Sequence, residues 1–428
     1  MSSSEWREVK VSEIGKIVTG KTPKTAISEN YGGNIPFLTP SDDMNIKKVK
    51  STARTLSEMG LNSVKNCLLP AKSICVSCIG SDLGKVVLTS EPTVTNQQIN
   101  SIVPDEKFDP DFIYYGMTIL GKHLNYLSKT STAVPIINKT TFSNFSIIVP
   151  SIEEQKAIAH ILSTLDDKIE VNNQINKTLE NMAQAIFKQW FVDFEFPNEN
   201  GEPYKSSGGE MVESELGMIP KGWRVDSLGN LLDVQKGLSY KGKHLVEEGV
   251  PMINLGTINP GGGYRQEKIK FYNGDFKDRH MVKPGDLVIA NTDMTQDRVI
   301  LGSPCLVPDF ECEKIIFTHH IFAIRNLKIP RNFLYYYFKS KDFRERADGY
   351  ATGTTVLALP QKGVVGIDLY LPNVGILERF NELIQSFIDK MNNLDKENEL
   401  LKRIRDVLLP KLMSGEIRVS LDEEGDAS

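Results

Sequence analysis

The chain has 428 residues, of which 40% are hydrophobic and 25% are charged, and this length exceeds what a single hydrophobic core ordinarily organises. We therefore expect two or more domains. The formal net charge of -5 excludes the global basic field of many small nucleic-acid binders, so any contact with DNA would need local basic patches.

The chain starts with MSSSEWREVK, which has no apolar stretch behind a basic flank. No later segment approaches the roughly 18 consecutive apolar residues of a membrane span. The five cysteines are too few, in a chain of this length, for a disulfide framework. These features predict a cytoplasmic protein in a reducing compartment.

The first motif along the chain is GKIVTGKT, from Gly15 to Thr22, which matches the G-x-x-x-x-G-K-[ST] pattern of phosphate-binding loops. In such a loop the lysine and threonine stand in the first turn of a helix. Here Pro23 follows, and the next residues, KTAISENYGGN, form a turn-rich stretch too short for a supporting helix. We interpret the motif as a strand that leads into a basic loop.

Cys75 and Cys78 form a C-x-x-C motif, which could be half of a zinc site or a redox pair. A second C-x-x-C and a nearby His-x-x-x-His are absent from the sequence. The surrounding stretch SICVSCIG is typical of a buried strand, in which free cysteine behaves as a small hydrophobic residue. The structural interpretation is favoured.

The two halves of the chain resemble each other. The stretch WREVKVSEIGKIVTGKT at Trp6 corresponds to WRVDSLGNLLDVQKGLS at Trp223, and DFIYYGM corresponds to NFLYYYF. LLPAKSICVS pairs with MVKPGDLVIA, and VPIINKTTFSNFSIIVP with VLALPQKGVVGIDLYLP. The offset stays at roughly 214 to 222 residues, which indicates duplication of a whole domain and not a solenoid of short repeats. Each copy closes at a proline, Pro150 or Pro372, and a long helix follows.

Apolar residues recur with heptad spacing in both long helices, as expected for coiled-coil strands. The predicted seam residues are Ile158, Leu162, Leu165, Ile169, Leu179, Ala183, Ile186 and Trp190 in the first helix, and Phe380, Ile384, Phe387, Met391, Leu394, Leu401, Leu408 and Leu412 in the second.

Asparagine interrupts the seam at Asn172 and Asn176 in the first helix and at Asn398 in the second. These polar residues either fix the register of the helix pair or mark a locally solvated seam, and the sequence leaves both open. Because Asn176 and Asn398 are equivalent in the repeat, we predict that they meet in an antiparallel pair.

The helix sequences carry a resemblance to a known family. EEQKAIAHILSTLDDKI with FKQWF in the first helix, LLPKLMSGEI at the end of the second, and the openings at Trp6 and Trp223 resemble the specificity subunit of type I restriction-modification systems. The resemblance covers nearly the whole chain. It implies an α+β fold with two pseudo-two-fold-related target recognition domains, separated by two long antiparallel coiled-coil helices.

The implied boundaries follow the repeat. They are residues 1–150 for recognition domain 1, 151–195 for the first long helix, 196–220 for a linker, 221–372 for recognition domain 2, 373–418 for the second long helix, and 419–428 for an acidic tail.

In that family each recognition domain reads one half of a bipartite DNA sequence, and the subunit itself is not catalytic. The resemblance therefore implies double-stranded DNA, two methyltransferase subunits and restriction or translocase subunits as partners. S-adenosylmethionine, ATP and Mg²⁺ are expected on the partner subunits, and no cofactor or metal on this chain. The alternative is a coiled-coil scaffold that joins protein partners without reading DNA.

Catalysis by this chain finds no support in the sequence. An adenine methyltransferase needs an [ND]-P-P-[YF] tetrapeptide, and the nearest strings, NIPF at Asn34 and NPGG at Asn259, do not fit. His319 and His320 are adjacent, so on a strand they would point to opposite sides and make a poor metal pair. We expect one to face DNA and the other the core.

Candidate DNA contacts are polar residues at equivalent loops of the two copies, because phosphates are bound by Lys, Arg, Ser, Thr and backbone amides and base edges by Arg, Lys, Asn and Gln. In the first copy they are Lys21, Thr22, Lys24, Ser81, Lys85, Gln97, Gln98 and Thr130 to Thr132. In the second they are Lys236, Tyr240, Lys241, Lys243, Asn291, Gln296, Arg298, His319, His320, Thr354 and Thr355. The run Tyr335 to Tyr337, with its counterpart Tyr114 and Tyr115, favours a packed helix face over base stacking.

Overall fold

The computed structural model describes residues 6–49, 51–130, 136–294, 298–353 and 356–419. The chain divides into two compact units. The first unit contains residues 1–174 and 394–428, and the second contains residues 175–393. Among the described residues, no helix combines the length and the apolar character needed to cross a membrane.

The first unit contains short strands and a few helices. Its strands are β1 (Arg7–Lys10), β2 (Gly15–Thr19), β3 (Tyr31–Leu38), β4 (Lys48–Val49), β5 (Thr55–Leu56), β6 (Leu68–Leu69), β7 (Ile74–Ser77), β8 (Val86–Thr89), β9 (Thr93–Thr95), β10 (Ile99–Pro104) and β11 (Ser146–Val149). Its helices are α1 (Val11–Ile14), α2 (Glu58–Ser63), α3 (Pro110–Thr130) and α4 (Lys139–Ser143), and the long helix α5 (Ile152–Phe191) begins in it.

The strands of the first unit form three sheets. One is five-stranded with the order β2-β10-β7-β8-β4, a second is four-stranded with the order β5-β3-β9-β6, and β1 pairs with β11. Helix α3 packs its apolar face against α5 and the end of the last helix of the chain, where Phe112, Ile158, Leu162, Leu412 and Met413 share one core. This packing explains the aromatic and apolar spacing seen in the sequence.

The second unit repeats this plan. Its strands are β12 (Met211–Ser214), β13 (Gly217–Pro220), β14 (Arg224–Ser227), β15 (Asp233–Lys236), β16 (Leu245–Val246), β17 (Val250–Ile253), β18 (Lys270–Tyr272), β19 (Met281–Val282), β20 (Leu287–Ala290), β21 (Thr292–Asp293), β22 (Pro304–Leu306), β23 (Ile315–Phe317), β24 (Ile321–Arg325), β25 (Leu357–Ala358) and β26 (Asp368–Leu371). Its helices are α6 (Leu228–Leu231), α7 (Arg331–Lys339), α8 (Lys341–Tyr350), α9 (Gln361–Val365) and the start of α10 (Val374–Met413).

The sheets of the second unit have the orders β15-β24-β20-β22 and β16-β18-β17-β23-β19, and β14 pairs with β26, β12 with β13 and β21 with β25. Its largest core joins Phe187 and Phe191 of α5 to Phe333 of α7 and Phe380 of α10. The rings of Phe191 and Phe333 meet edge to face, with centroids 4.9 Å apart. The carboxyl-terminal part of α5 is therefore a packing surface for this domain.

Matching backbone hydrogen bonds show that the duplication predicted from the sequence is real. The paired bonds, first unit before second, are Gly20 N to Ile99 O with Gly237 N to Ile321 O, Cys78 N to Gln98 O with Asn291 N to His320 O, Ile137 N to Cys78 O with Leu359 N to Asn291 O, and Val11 N to Phe145 O with Leu228 N to Ile367 O. The two copies therefore share one backbone framework, while the side chains on it differ.

The two long helices run antiparallel where they pack within each unit. In the first unit Asp166 of α5 pairs with Arg405 of α10 at 2.7 Å. Asn172 is fully buried, and its Nδ2 donates to Oδ1 of Asn398 at 2.9 Å. Nδ2 of Asn398 donates to Oδ1 of Asn173 at 3.0 Å. The predicted partner of Asn398 was Asn176, which belongs to the second unit, so that pairing stays a prediction.

The segment predicted as a linker has structure of its own. It contains the β12–β13 hairpin, and Phe196 stacks between Tyr204 and Trp223 with ring centroids 4.6 and 5.2 Å away. The polar composition, rich in glycine and proline, predicted a linker, and the aromatic residues that anchor the segment are widely spaced in the sequence. The segment is ordered because Phe196 packs against the core of the second unit.

Candidate nucleic-acid interface

The predicted contact loops of the first unit lie at one end of its five-stranded sheet. Strand β2 ends at Thr19 opposite Asn100, and β10 begins at Ile99 opposite Ser77, the last residue of β7. Because these strands are antiparallel, the loops around residues 20–24, 78–85 and 96–98 leave from the same edge. Sheet pairing thus gathers four stretches of polar chain, since Ile137 N also bonds to Cys78 O at 3.0 Å.

The GKIVTGKT motif is part of this edge and is not a phosphate-binding loop. Gly15 to Thr19 form strand β2, and residues 20–24 follow as irregular chain, without the helix that a nucleotide site requires. Gly20 is needed for packing, since a Cβ there would stand 2.1 Å from the carbonyl oxygen of Asn96. The side chains of Lys21 and Lys24 are exposed beyond this glycine.

Thr22 and Gln97 are joined across this edge. The Thr22 hydroxyl donates to Oε1 of Gln97 at 2.6 Å, and Gln97 is exposed. Gln98 is half-buried and accepts a hydrogen bond from Nδ2 of the buried Asn96 at 3.0 Å. Each of these two amide side chains is thereby hydrogen-bonded to a residue of the same unit.

The remaining candidates of the first unit differ in their surroundings. Lys85 forms an ion pair with Asp82 at 2.8 Å, which neutralises part of its charge. Ser81 lies in the 3₁₀ turn Gly80–Asp82. Thr132 lies outside the described residues, as does Ser131, while Thr130 ends helix α3.

The second unit gathers equivalent loops at the corresponding edge of its four-stranded sheet. Asn291 follows β20, and its buried side chain donates through Nδ2 to the carbonyl oxygen of His319 at 3.0 Å. This hydrogen bond fixes the loop, and a contact of Asn291 with DNA stays a prediction.

The loop lysines of the two copies stand at different backbone positions. Lys236 is the last residue of β15, where it faces Phe322, and its counterpart in the first unit is Thr19, which faces Asn100. Lys21 corresponds instead to Leu238, because both backbone amides bond to the equivalent carbonyl oxygens, of Thr95 and of Phe317. This agrees with the offset of 217 residues between Trp6 and Trp223.

His319 and His320 lie in a turn and not on a strand, so they do not point to opposite sides as expected. Their rings are tilted by 40° with centroids 3.9 Å apart. Nδ1 of His320 hydrogen-bonds with Oγ1 of Thr292 at 2.9 Å. Burial, and then the charges of His319, Lys236 and Lys270, lower the pKa of His320 below its ordinary value.

The other candidates of the second unit differ in exposure. Lys236, Lys241 and Lys243 are exposed, and Arg298 approaches Asp348 at 3.4 Å. Tyr240 is half-buried, with its ring centroid 6.5 Å from that of His319. Gln296, Thr354 and Thr355 lie outside the described residues.

Sequence reasoning missed a set of basic residues beside these loops. An open cavity of about 470 Å³ next to Tyr240 and His320 is lined by Arg265, Lys268 and Lys270. In the first unit, Arg54 precedes strand β5, much as Lys270 is the first residue of β18 in the second unit. The guanidinium of Arg54 lies 5.5 Å from the ring centre of Tyr31. The signal available in the sequence was the group of basic residues Arg265, Lys268 and Lys270 that follows strand β17.

The structure confirms that the C-x-x-C cysteines and the tyrosine run are packed inside the protein. Cys75 and Cys78 are buried free thiols, and burial raises the pKa of Cys75 to about 12. No group of metal-binding side chains occurs among the described residues. Tyr335, Tyr336 and Tyr337 are buried in the second core, and Nζ of Lys339 pairs with Oε1 of Glu180 at 2.5 Å beside them.

The chain is similar to known proteins over most of its length. Residues 3–181 match the family model described as type I restriction modification DNA specificity domain. A type I restriction enzyme MjaIX specificity subunit from Methanocaldococcus jannaschii is 29% identical, over 97% of this chain and 94% of its own. The HindI specificity subunit of Haemophilus influenzae is 38% identical over 42% of this chain and 40% of its own.

A solved structure shares the fold. The S subunit of a type I restriction-modification system from M. genitalium aligns with a TM-score of 0.56 and 17% identity, over 96% of this chain and 97% of that one. At this identity the likeness concerns the fold alone.

Proposed function

Because the chain belongs to the family of type I restriction-modification specificity subunits, which are non-catalytic, we propose that it reads an asymmetric bipartite DNA target with one half-site per recognition domain. The observation that carries the proposal is the shared hydrogen-bond framework with different side chains on it. The edge that holds Thr22 and Gln97 in one copy holds Ser239 and His319 in the other. Equivalent readers with unequal chemistry would recognise unequal half-sites.

Polar side chains at each edge suit the two kinds of DNA contact. Exposed lysines such as Lys21, Lys24, Lys241 and Lys243 would bind phosphates, which position the protein without specifying sequence. Gln97, which is held by Thr22, would present a fixed amide to a base edge. Local basic loops thus offset the overall negative charge of the chain.

The positioning of partner subunits is the second part of the proposal. Leu400, Ile404 and Val407 follow i, i+4, i+7 spacing on α10 and are 58%, 39% and 60% exposed. An exposed apolar stripe of this kind marks a protein-binding surface. We name it the α10 stripe and propose that it docks a methyltransferase subunit, with restriction or translocase subunits joining the assembly.

The chemistry is assigned to those partners. S-adenosylmethionine, ATP and Mg²⁺ would be held by the methyltransferase and restriction subunits, and the recognition chain would bring them to the target. Since that target is cellular DNA, the proposed location is the cytoplasm.

Methylome sequencing tests the proposal. The chain is co-expressed with a methyltransferase subunit in cells whose own enzymes do not methylate the target. One asymmetric bipartite methylated motif is expected. Purified complex with an unaltered methylome would contradict DNA reading and favour the scaffold alternative. Replacing residues 1–150 with another recognition domain should change one half-site only, and a change in both would contradict one half-site per domain.

A further inference from the structure

The cavity beside Tyr240 and His320 has the size and lining of a binding site. Its volume of about 470 Å³ falls within the roughly 300–1,000 Å³ of ligand clefts. Arg265, Lys268 and Lys270 supply positive charge. The lining carboxylate, Asp293, is fully buried, and its Oδ2 accepts hydrogen bonds from the amides of Ile300 and Leu301. Positively charged side chains therefore outnumber the carboxylate in the lining of the cavity.

A fixed backbone element positions Arg265. Residues 257–265 form a small hairpin in which the Arg265 amide bonds to Thr257 O at 2.8 Å. Its tip is Gly261 to Gly263, whose φ angles of 79°, 106° and 101° lie in the region that favours glycine. The amide of Gly263 bonds to Pro304 O at 2.8 Å, which ties the tip to strand β22.

A second contact orients the guanidinium itself. Nδ2 of Asn259 donates to the carbonyl oxygen of Tyr264 at 3.0 Å, so its Oδ1 is left to accept from Nε of Arg265 at 3.0 Å. With Nε engaged, the two terminal nitrogens of Arg265 have no partner among the described residues and are left for a ligand. That is the paired-donor edge with which arginine recognises O6 and N7 of guanine.

A second observation concerns a polar residue at the wall of the cavity. Thr318 lines it and is fully buried, and its hydroxyl has no hydrogen-bond partner in the described part of the chain. A buried hydroxyl without a partner costs free energy, and such groups are infrequent in folded proteins.

We propose that Arg265 is a specificity-determining residue that reads a guanine in the half-site of the second recognition domain, while Lys268 and Lys270 bind the flanking phosphates. The inference rests on the proposed function, because it assumes that this domain reads DNA. Asn259 is a positioning residue in it, since it acts through Arg265. The ligand is one G·C pair of duplex DNA and its neighbouring backbone.

The test compares the methylated motifs and the DNA-binding selectivity of complexes made with Arg265→Ala, Arg265→Lys, Asn259→Leu and wild-type chain. Binding is measured with a set of duplexes in which each base pair of the motif is replaced in turn. Arg265→Ala should relax recognition at one G·C position of one half-site, with discrimination there falling about 10- to 100-fold. Asn259→Leu should relax the same position to a smaller degree.

Arg224→Ala is the matched control, because Arg224 is an exposed arginine of the second unit that lies on β14 and pairs with Asp226. It should leave the motif unchanged. Thermal unfolding of each complex accompanies the binding measurements. If Arg265→Ala does not fold, Arg265→Lys decides, since it keeps Asn259 and the hairpin and alters only the donor edge.

Three results would overturn the inference. They are an unchanged motif in the Arg265 variants, relaxation at an A·T pair, and uniformly weaker binding to all duplexes, which would make Arg265 a phosphate contact only. In each case wild type still produces a bipartite motif, and the proposed function stands. A wild-type complex that produces no motif would instead count against the proposed function itself.

Discussion

Asn172 of α5 and Asn398 of α10 share a buried hydrogen bond of 2.9 Å within the first unit. Replacing either residue by leucine leaves the other amide buried with a lost partner, so each single change should lower the free energy of unfolding by about 1–3 kcal/mol. The double replacement should cost less than the sum of the two. Chemical denaturation in a double-mutant cycle measures this coupling, with the exposed Asn392→Leu as control. Strictly additive effects would contradict a specific pair.

Lys21 stands exposed after Gly20, on the loop that resembles a phosphate-binding motif. We expect Lys21→Ala to weaken DNA binding equally for all sequences and to reduce the slope of log K against log salt by about 1, because one phosphate contact is lost. Lys107→Ala is the matched control, since Lys107 is exposed in the turn after β10, away from the loop edge. A change in the recognised motif, or an unchanged salt slope, would count against a backbone contact.

His320 makes the stability of the second unit depend on pH. Its pKa is lowered on folding from 6.5, chiefly by burial, so the unfolded chain takes up the proton first as pH falls. The free energy of unfolding should therefore decrease as pH falls below about 6.5 toward the lowered pKa.

Thermal unfolding between pH 8 and 5 measures this effect, and His320→Gln should flatten part of the decline. Part will remain, because burial also lowers the pKa of His280. His123→Gln, at an exposed position of α3, is the control and should leave the profile as in wild type. Equal profiles for His320→Gln and wild type would exclude a contribution from His320.

A substitution in the α10 stripe should disrupt binding of the methyltransferase subunit without unfolding the chain. Ile404→Glu places a charge among Leu400 and Val407 on an exposed surface, so it should abolish copurification of the methyltransferase subunit while leaving the unfolding temperature of the free chain nearly unchanged. Val374→Glu, at a 68% exposed position in the first turn of the same helix, is the control. Normal assembly of the Ile404 variant would contradict docking at this stripe.

The sequence by itself determined the duplication, the two long helices and the structural role of Cys75, because these depend on local periodicity and on repeated apolar patterns. It also rejected a nucleotide site at Gly15 to Thr22, since helix formation after Pro23 is a local question. Only the tertiary structure decided which loops meet at one end of the sheet, because strand pairing joins residues far apart in the chain. Packing likewise decided that Asn291 is buried and that Arg265 lines a cavity with Lys268 and Lys270, since burial depends on what surrounds each side chain and not on its type.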